Sequence, residues 1–275
     1  MYKHCFRLLR ITVAFIFAVL STSWAEADTF LYGSTAGLSS SGGGRLYRID
    51  VTTHNVTLIG NTGFDRLGGI AFNSSGFLYG VSGGNANAGT LLIIDPYTGV
   101  ANPVGLISDP NLGVDGLRFN AQDVLYGSAF NFVSGVGVLV TINPSNGNIL
   151  SSLTLVGSGN SFCPGIAFDS GGTLYASRGN ATGRLEDIDQ VNQMTGVLTP
   201  IGGLATVISD IAFALNGIFY GCSTNGDLYS INPVNGNKTL LFNTGINKLS
   251  GLAAPLSALR LPRPPRPRPT PAPRP

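Results

Sequence analysis

The chain has 275 residues, with 38 glycines, only 11% charged residues and a formal net charge of +2. So thin a charge excludes a nucleic-acid surface, which needs a clustered basic field. Beyond residue 27 the chain holds one His and two Cys, too few for the four ligands of a structural zinc site.

Residues 1–27 read as a secretory signal. Lys3, Arg7 and Arg10 charge the start, Ile11–Leu20 is an apolar run, and Ala25-Glu26-Ala27 offers small residues for cleavage before Asp28. A run of ten residues is too short to cross a hydrocarbon core of ~30 Å as a helix. The expectation is a protein that is secreted or periplasmic, with no transmembrane segment after cleavage.

From Asp28 the apolar segments are short, rich in β-formers and separated by Gly, Asn and Pro, the pattern of an all-β domain. The stretch GIAFNSSGFLYG from Gly69 recurs as LRFNAQDVLYG from Leu117, IAFDSGGTLYA from Ile166 and IAFALNGIFYG from Ile211. Tyr32, Tyr79, Tyr126, Tyr175 and Tyr220 stand 47, 47, 49 and 45 residues apart. A second series, Asp50, Asp95, Asn143, Asp189 and Asn232, keeps step and is assigned to turns, where Asx side chains bond the backbone. Four short strands in each period define a propeller blade. The first unit lacks its GIAF strand, and SGLAAP at Ser250–Pro255 supplies one at the other end. The predicted fold is a five-bladed β-propeller of four-stranded antiparallel blades over residues 28–257. Leu252–Ala254 closes the ring against Phe30–Gly33, which removes a seam of unpaired backbone groups. An open β-solenoid, the other architecture for such repeats, would need no split unit.

The LYG…L..IDP.TG…VG pattern resembles the exported bacterial β-propeller proteins built from WD-like repeats. The resemblance runs from Thr29 to about Pro255, although the WD dipeptide itself is missing. It implies the propeller fold and a binding or scaffold role. That family has no single activity, so no catalytic residue carries over.

Residues 258–275 are rich in Pro and Arg and read as an extended tail. Residues 28–257 hold 8 Lys/Arg against 13 Asp/Glu, a balance of −5, while the tail holds five Arg, or +5. An acidic disc with a basic arm is suited to tethering on an anionic surface.

Chemistry-bearing residues are sparse. His54 lies in a turn, without the neighbours a nucleophilic triad needs. The tyrosine series is assigned to packing between blades. Cys163 and Cys222 are candidates for a disulfide in an exported protein, since they fall in neighbouring blades. Asp115 and Asp210 precede inner strands at the channel mouth. Carboxylates there suit a polar ligand or a cation, with calcium as the one cofactor to consider. The links between second and third strands are longer and more variable than the others, which marks their face as the recognition face. The candidate ligand-binding residues are Phe130, Phe132, Asp109, Asn111, Asp115, Arg178, Asn180 and Asp210. The function these features favour is a noncatalytic exported binding or scaffold module, monomeric, with a protein or carbohydrate partner. The alternatives are a hydrolase or lyase using channel-mouth carboxylates with a divalent cation, and a structural cell-surface component.

Overall fold

The structure is a computed structural model that describes residues 29–38, 40, 42–83, 89–157, 162–179, 187–202 and 207–255. The expected signal, the Pro/Arg-rich tail and Asn180 lie outside the described residues. Among the described residues, twenty strands form five four-stranded antiparallel sheets. Blade 1 combines β20 (Leu249–Ala253) with β1 (Phe30–Thr35), β2 (Arg45–Asp50) and β3 (Val56–Asn61). Blade 2 holds β4 (Leu67–Phe72), β5 (Leu78–Ser82), β6 (Thr90–Ile94) and β7 (Ala101–Leu106). Blade 3 holds β8 (Leu112–Phe119), β9 (Leu125–Asn131), β10 (Val136–Ile142) and β11 (Ile149–Thr154). Blade 4 holds β12 (Phe162–Phe168), β13 (Leu174–Gly179), β14 (Asp187–Val191) and β15 (Leu198–Gly202). Blade 5 holds β16 (Asp210–Phe213), β17 (Phe219–Cys222), β18 (Asp227–Ile231) and β19 (Lys238–Asn243).

The predicted closure is present. β20 pairs antiparallel with β1, with Tyr32 opposite Ala253, Gly33 opposite Leu252 and Ser34 opposite Gly251. The last strand of the chain therefore completes the first blade.

Local chemistry explains the blade. The glycine of each LYG motif leaves room for a core side chain. A Cβ at Gly80 would lie 2.7 Å from Ile94 Cδ1, and one at Gly221 would lie 2.7 Å from Ile231 Cδ1. The tyrosines pack between blades as predicted. Tyr32 meets Phe72 at 5.0 Å, Tyr79 meets Phe119 at 5.2 Å, Tyr126 meets Phe168 at 5.1 Å and Tyr175 meets Phe213 at 5.4 Å between ring centroids. In each pair a second strand touches the inner strand of the next blade, so the apolar core is a set of layers between blades.

The turn series is right at four positions and wrong at one. Asp50, Asp95, Asn143 and Asn232 each accept backbone N–H bonds from residues two or three ahead. In blade 4 that role falls to Asn192, whose Oδ1 accepts from Met194 at 2.9 Å and Thr195 at 3.0 Å. Asp189 lies inside β14 and is fully buried. Its predicted turn position is corrected by the glycine four residues past each turn residue, Gly99, Gly147, Gly196 and Gly236, all with positive φ.

Blade twist joins these turns to the next seam. A Cβ at Gly60 of blade 1 would lie 2.1 Å from the Thr98 carbonyl of blade 2, and one at Gly105 would lie 2.0 Å from Asn146 O of blade 3. Gly196 of blade 4 meets Thr154 O of blade 3 at 2.1 Å in the same sense, and Gly202 of blade 4 meets Asn235 O of blade 5 at 2.1 Å. The outermost strand of each of these blades thus docks on the third-to-fourth turn of the next. These turns belong to the seams, not to an open face.

Candidate functional site

The five inner strands meet around the axis through an aligned quartet: Gly69–Phe72, Gly116–Phe119, Gly165–Phe168, Asp210–Phe213 and Gly251–Ala254. The first position is a ring of glycines because neighbouring backbones touch. A Cβ at Gly165 would lie 2.6 Å from Asp210 Cα, and one at Gly251 would lie 2.3 Å from Gly68 O. Asp210 is the one departure from glycine in this ring. The third position reads Ala71, Arg118, Ala167, Ala212 and Ala253, with Arg118 as its one departure.

These two departures meet. Arg118 is buried, and its guanidinium reaches across the axis. Nε donates to Ile166 O of blade 4 at 3.1 Å, and Nη2 donates to Ile211 O of blade 5 at 2.6 Å and to Leu252 O of blade 1 at 2.8 Å. Asp210 is fully buried. It accepts from its neighbour Ile211 N at 2.8 Å and from Leu252 N at 2.7 Å. The closest approach of the two charges is 3.9 Å. Inner strands are sheet edges whose N–H and C=O groups need partners, and this pair satisfies several of them. Burial outweighs the mutual attraction on both sides. It pushes the Asp210 carboxyl up to about 7, although Arg118 and two backbone N–H groups pull the other way. It also pushes Arg118 down, from a value high enough that the guanidinium stays charged.

Asp115 sits one position above the glycine ring, at a register irregularity between Val114 and Gly116. A bulge of this kind re-aims a side chain. Protein surrounds the carboxyl, with Oδ1 near Gly68 of blade 2, while the residue as a whole is half-buried. No described residue gives it a hydrogen bond. Burial alone pushes it up to about 6. A carboxyl raised above its unfolded value of 3.8 binds its proton more tightly in the fold, so it stabilises the protonated fold and costs stability once ionised. Stability therefore falls as pH rises from about 4 through about 6. Asp115→Asn should raise the melting temperature at pH 8 and leave it nearly unchanged at pH 4, as differential scanning fluorimetry over a pH series will report.

The other predicted residues divide. Phe130 stands edge-on between Phe132 at 5.5 Å and Phe162 at 5.9 Å, so three rings from blades 3 and 4 cluster on the long-loop side. Phe132 is 40% exposed and the adjoining Val133 is 78% exposed. Asp109 and Asn111 build the loop beneath: Asp109 Oδ1 accepts from Asn111 N at 2.9 Å, and Asn111 O accepts from Phe132 N at 2.9 Å. Arg178 is not at the surface. It is buried against Asp189, with Nε 3.0 Å from Oδ2. Asp189 takes an inward place that Tyr47, Leu92, Val140 and Tyr229 fill in the other blades. Cys163 and Cys222 are both buried and are not joined in a disulfide. Cys163 packs with Leu139 and Leu155 between blades 3 and 4, whereas Cys222 packs with Leu228 and Leu249 between blades 5 and 1. Different layers hold them, which corrects the predicted bond. Burial pushes both thiols up, that of Cys222 to about 12.

Sequence reasoning passed over Arg118, although its signal was present. The motif LRF stands where the other repeats read IAF. Among the described residues, no three His, Cys, Asp or Glu side chains converge as metal ligands.

Fold and axis together define a five-bladed propeller whose inner strands touch through glycine and whose axis is crossed by an Arg–Asp pair. Residues 117–251 match a family described as a repeat of unknown function, DUF6923. No curated protein sequence matches the chain. Among solved structures, a chain of a nidogen/laminin complex is similar at 11% identity and TM-score 0.56, with 83% of this chain and 98% of that chain covered. The PQQ-bound aldose sugar dehydrogenase from Streptomyces coelicolor is similar at 16% identity and TM-score 0.51, with 81% and 84% covered. The gluconolactonase XC5397 from Xanthomonas campestris aligns at 12% identity and TM-score 0.48, with 82% and 80% covered. The first two likenesses show the fold alone, and none carries an activity across.

Proposed function

We propose that the protein is a noncatalytic, exported binding module that takes its ligand on the long-loop side of the propeller, at the channel mouth beside blade 3. The observation that carries this reading is Asp115. Asp115 is half-buried beside the inner strands and its carboxylate has no hydrogen bond from the described residues, while Arg118 and Asp210 are spent on the backbone. A group that costs the fold stability and has no internal task fits a binding role. The rigid Phe130–Phe132–Phe162 cluster adds apolar contact area on the same side.

Chain direction supports the choice of face. β1 begins and β20 ends on the short-link side, where Thr29 Oγ1 accepts from Asn216 Nδ2 at 3.2 Å. The described chain starts and ends on that side, so a tether attached at either end would keep the long-loop side free. The hydrolase or lyase reading has less support, because acid–base work by two carboxylates needs both to face the substrate. Asp210 is fully buried and bonded.

The test is a thermal-shift series with calcium chloride, a lysine-rich peptide and neutral oligosaccharides, since a native-state ligand raises apparent stability. At least one probe should raise the melting temperature of the unaltered chain and lose most of that effect with Asp115→Asn or Phe132→Ala. A probe that stabilises both variants as well as the unaltered chain would place recognition elsewhere.

A further inference from the structure

The five seams between blades are not equivalent. Four bring the outer strand of one blade onto the turn of the next through backbone and glycine, as at Gly60, Gly105, Gly196 and Gly202. At the seam from blade 5 to blade 1, both partners change. The outer-strand position held by Gly60, Gly105 and Gly202 is Phe242, and the turn position held by Gly99, Gly147, Gly196 and Gly236 is His54. His54 keeps the left-handed backbone of those glycines, with φ 61°. Its ring stacks on Phe242, with centroids 4.3 Å apart and planes 19° apart. In the apolar layer of the same seam Tyr220 is joined by Ala254, at the position where the other blades carry the phenylalanines that meet the tyrosines.

This is also the seam beside the break in the chain. β1–β3 continue into blade 2, whereas β20 arrives from blade 5, so no direct chain connection runs from blade 5 to β1–β3; the β20–β1 ladder, the Asn216–Thr29 hydrogen bond and the apolar layer shared by Leu31, Ile49, Tyr220 and Leu228 hold them together. We infer that His54 and Phe242 form a latch, an outer tie that holds the β2–β3 turn on blade 5 across the break. Elsewhere the connection from one blade to the next keeps neighbours together, and glycine contact suffices. At the break, adjacency depends on pairing and side chains alone.

The experiment is hydrogen exchange on the full chain and on His54→Asn, Phe242→Ala and the double variant. Asparagine tolerates the left-handed backbone, so the first change removes the ring and leaves the turn. Aromatic contacts of this kind correspond to about a 3- to 10-fold effect on a local opening equilibrium. Each single change should speed amide exchange in β1–β3 and β20 by that factor while blades 2–4 keep their rates. The double variant should open no faster than the faster single. Rates that multiply in the double, or equal acceleration in all blades, would overturn the latch. If Phe242→Ala does not fold, Phe242→Leu keeps apolar bulk without the ring and is judged by the same criteria.

Discussion

Replacing Arg118 by alanine should cost about 3–5 kcal/mol, the scale for removing one partner of a buried charged pair. Three carbonyls in three blades lose their donor, and Asp210 loses the only cation near it among the described residues. The cost should depend on pH. Arg118 favours the ionised form of Asp210, so its removal matters most where that form exists, above about pH 7, and least near pH 5. Adding Asp210→Gly returns both positions to the residues the other blades use. The double variant should therefore be more stable than Arg118→Ala alone at pH 8. Urea unfolding of the three proteins at pH 5 and pH 8 measures both effects. Equal losses at the two pH values would show that Arg118 acts through its carbonyl hydrogen bonds and packing rather than through the charge of Asp210.

Gly69→Ala should prevent folding or cost several kcal/mol, at the upper end of single-substitution effects. The added Cβ would lie 2.3 Å from Asp115 O, 2.4 Å from Leu117 N and 2.8 Å from Gly116 C. All three are backbone atoms of β8, which the ring holds on its other side through Gly116 against blade 4. No rotamer change relieves such a clash. Gly63→Ala is the informative contrast. Gly63 has φ 81° with nothing within 4 Å of its added Cβ, so that change carries only the backbone penalty, about 1–2 kcal/mol. Soluble yield and urea midpoints of the two variants will separate steric from torsional cost. Comparable losses would mean that the inner strands can part.

The blade count, the strand boundaries within a few residues, the split closing strand and the tyrosine packing were all readable from the chain. Each is written in short-range chemistry repeated at a fixed interval: alternation along strands, Asx turns, and glycines with positive φ. Asp189 shows how such reading slips. Judged by residue type it passes for a turn residue, and only alignment on Gly196 shows that Asn192 is the turn and Asp189 an inward position. The candidate site was half legible. Asp115 and Asp210 stood out as carboxylates beside inner strands, but their separate fates did not.

Only the tertiary structure decided those fates. Arg118 bonds residues 48, 93 and 134 positions away, and no local pattern encodes such partners, because ring closure alone brings their carbonyls to one axis. The same closure buries Asp210, leaves Asp115 half-buried, separates Cys163 from Cys222 and sets His54 on Phe242. By itself the sequence determined the repeating unit and how many there are, since turns and strand patterns act over a few residues. The contacts among departures from the repeat were decided by the ring, since those residues are neighbours only after the last strand has joined the first.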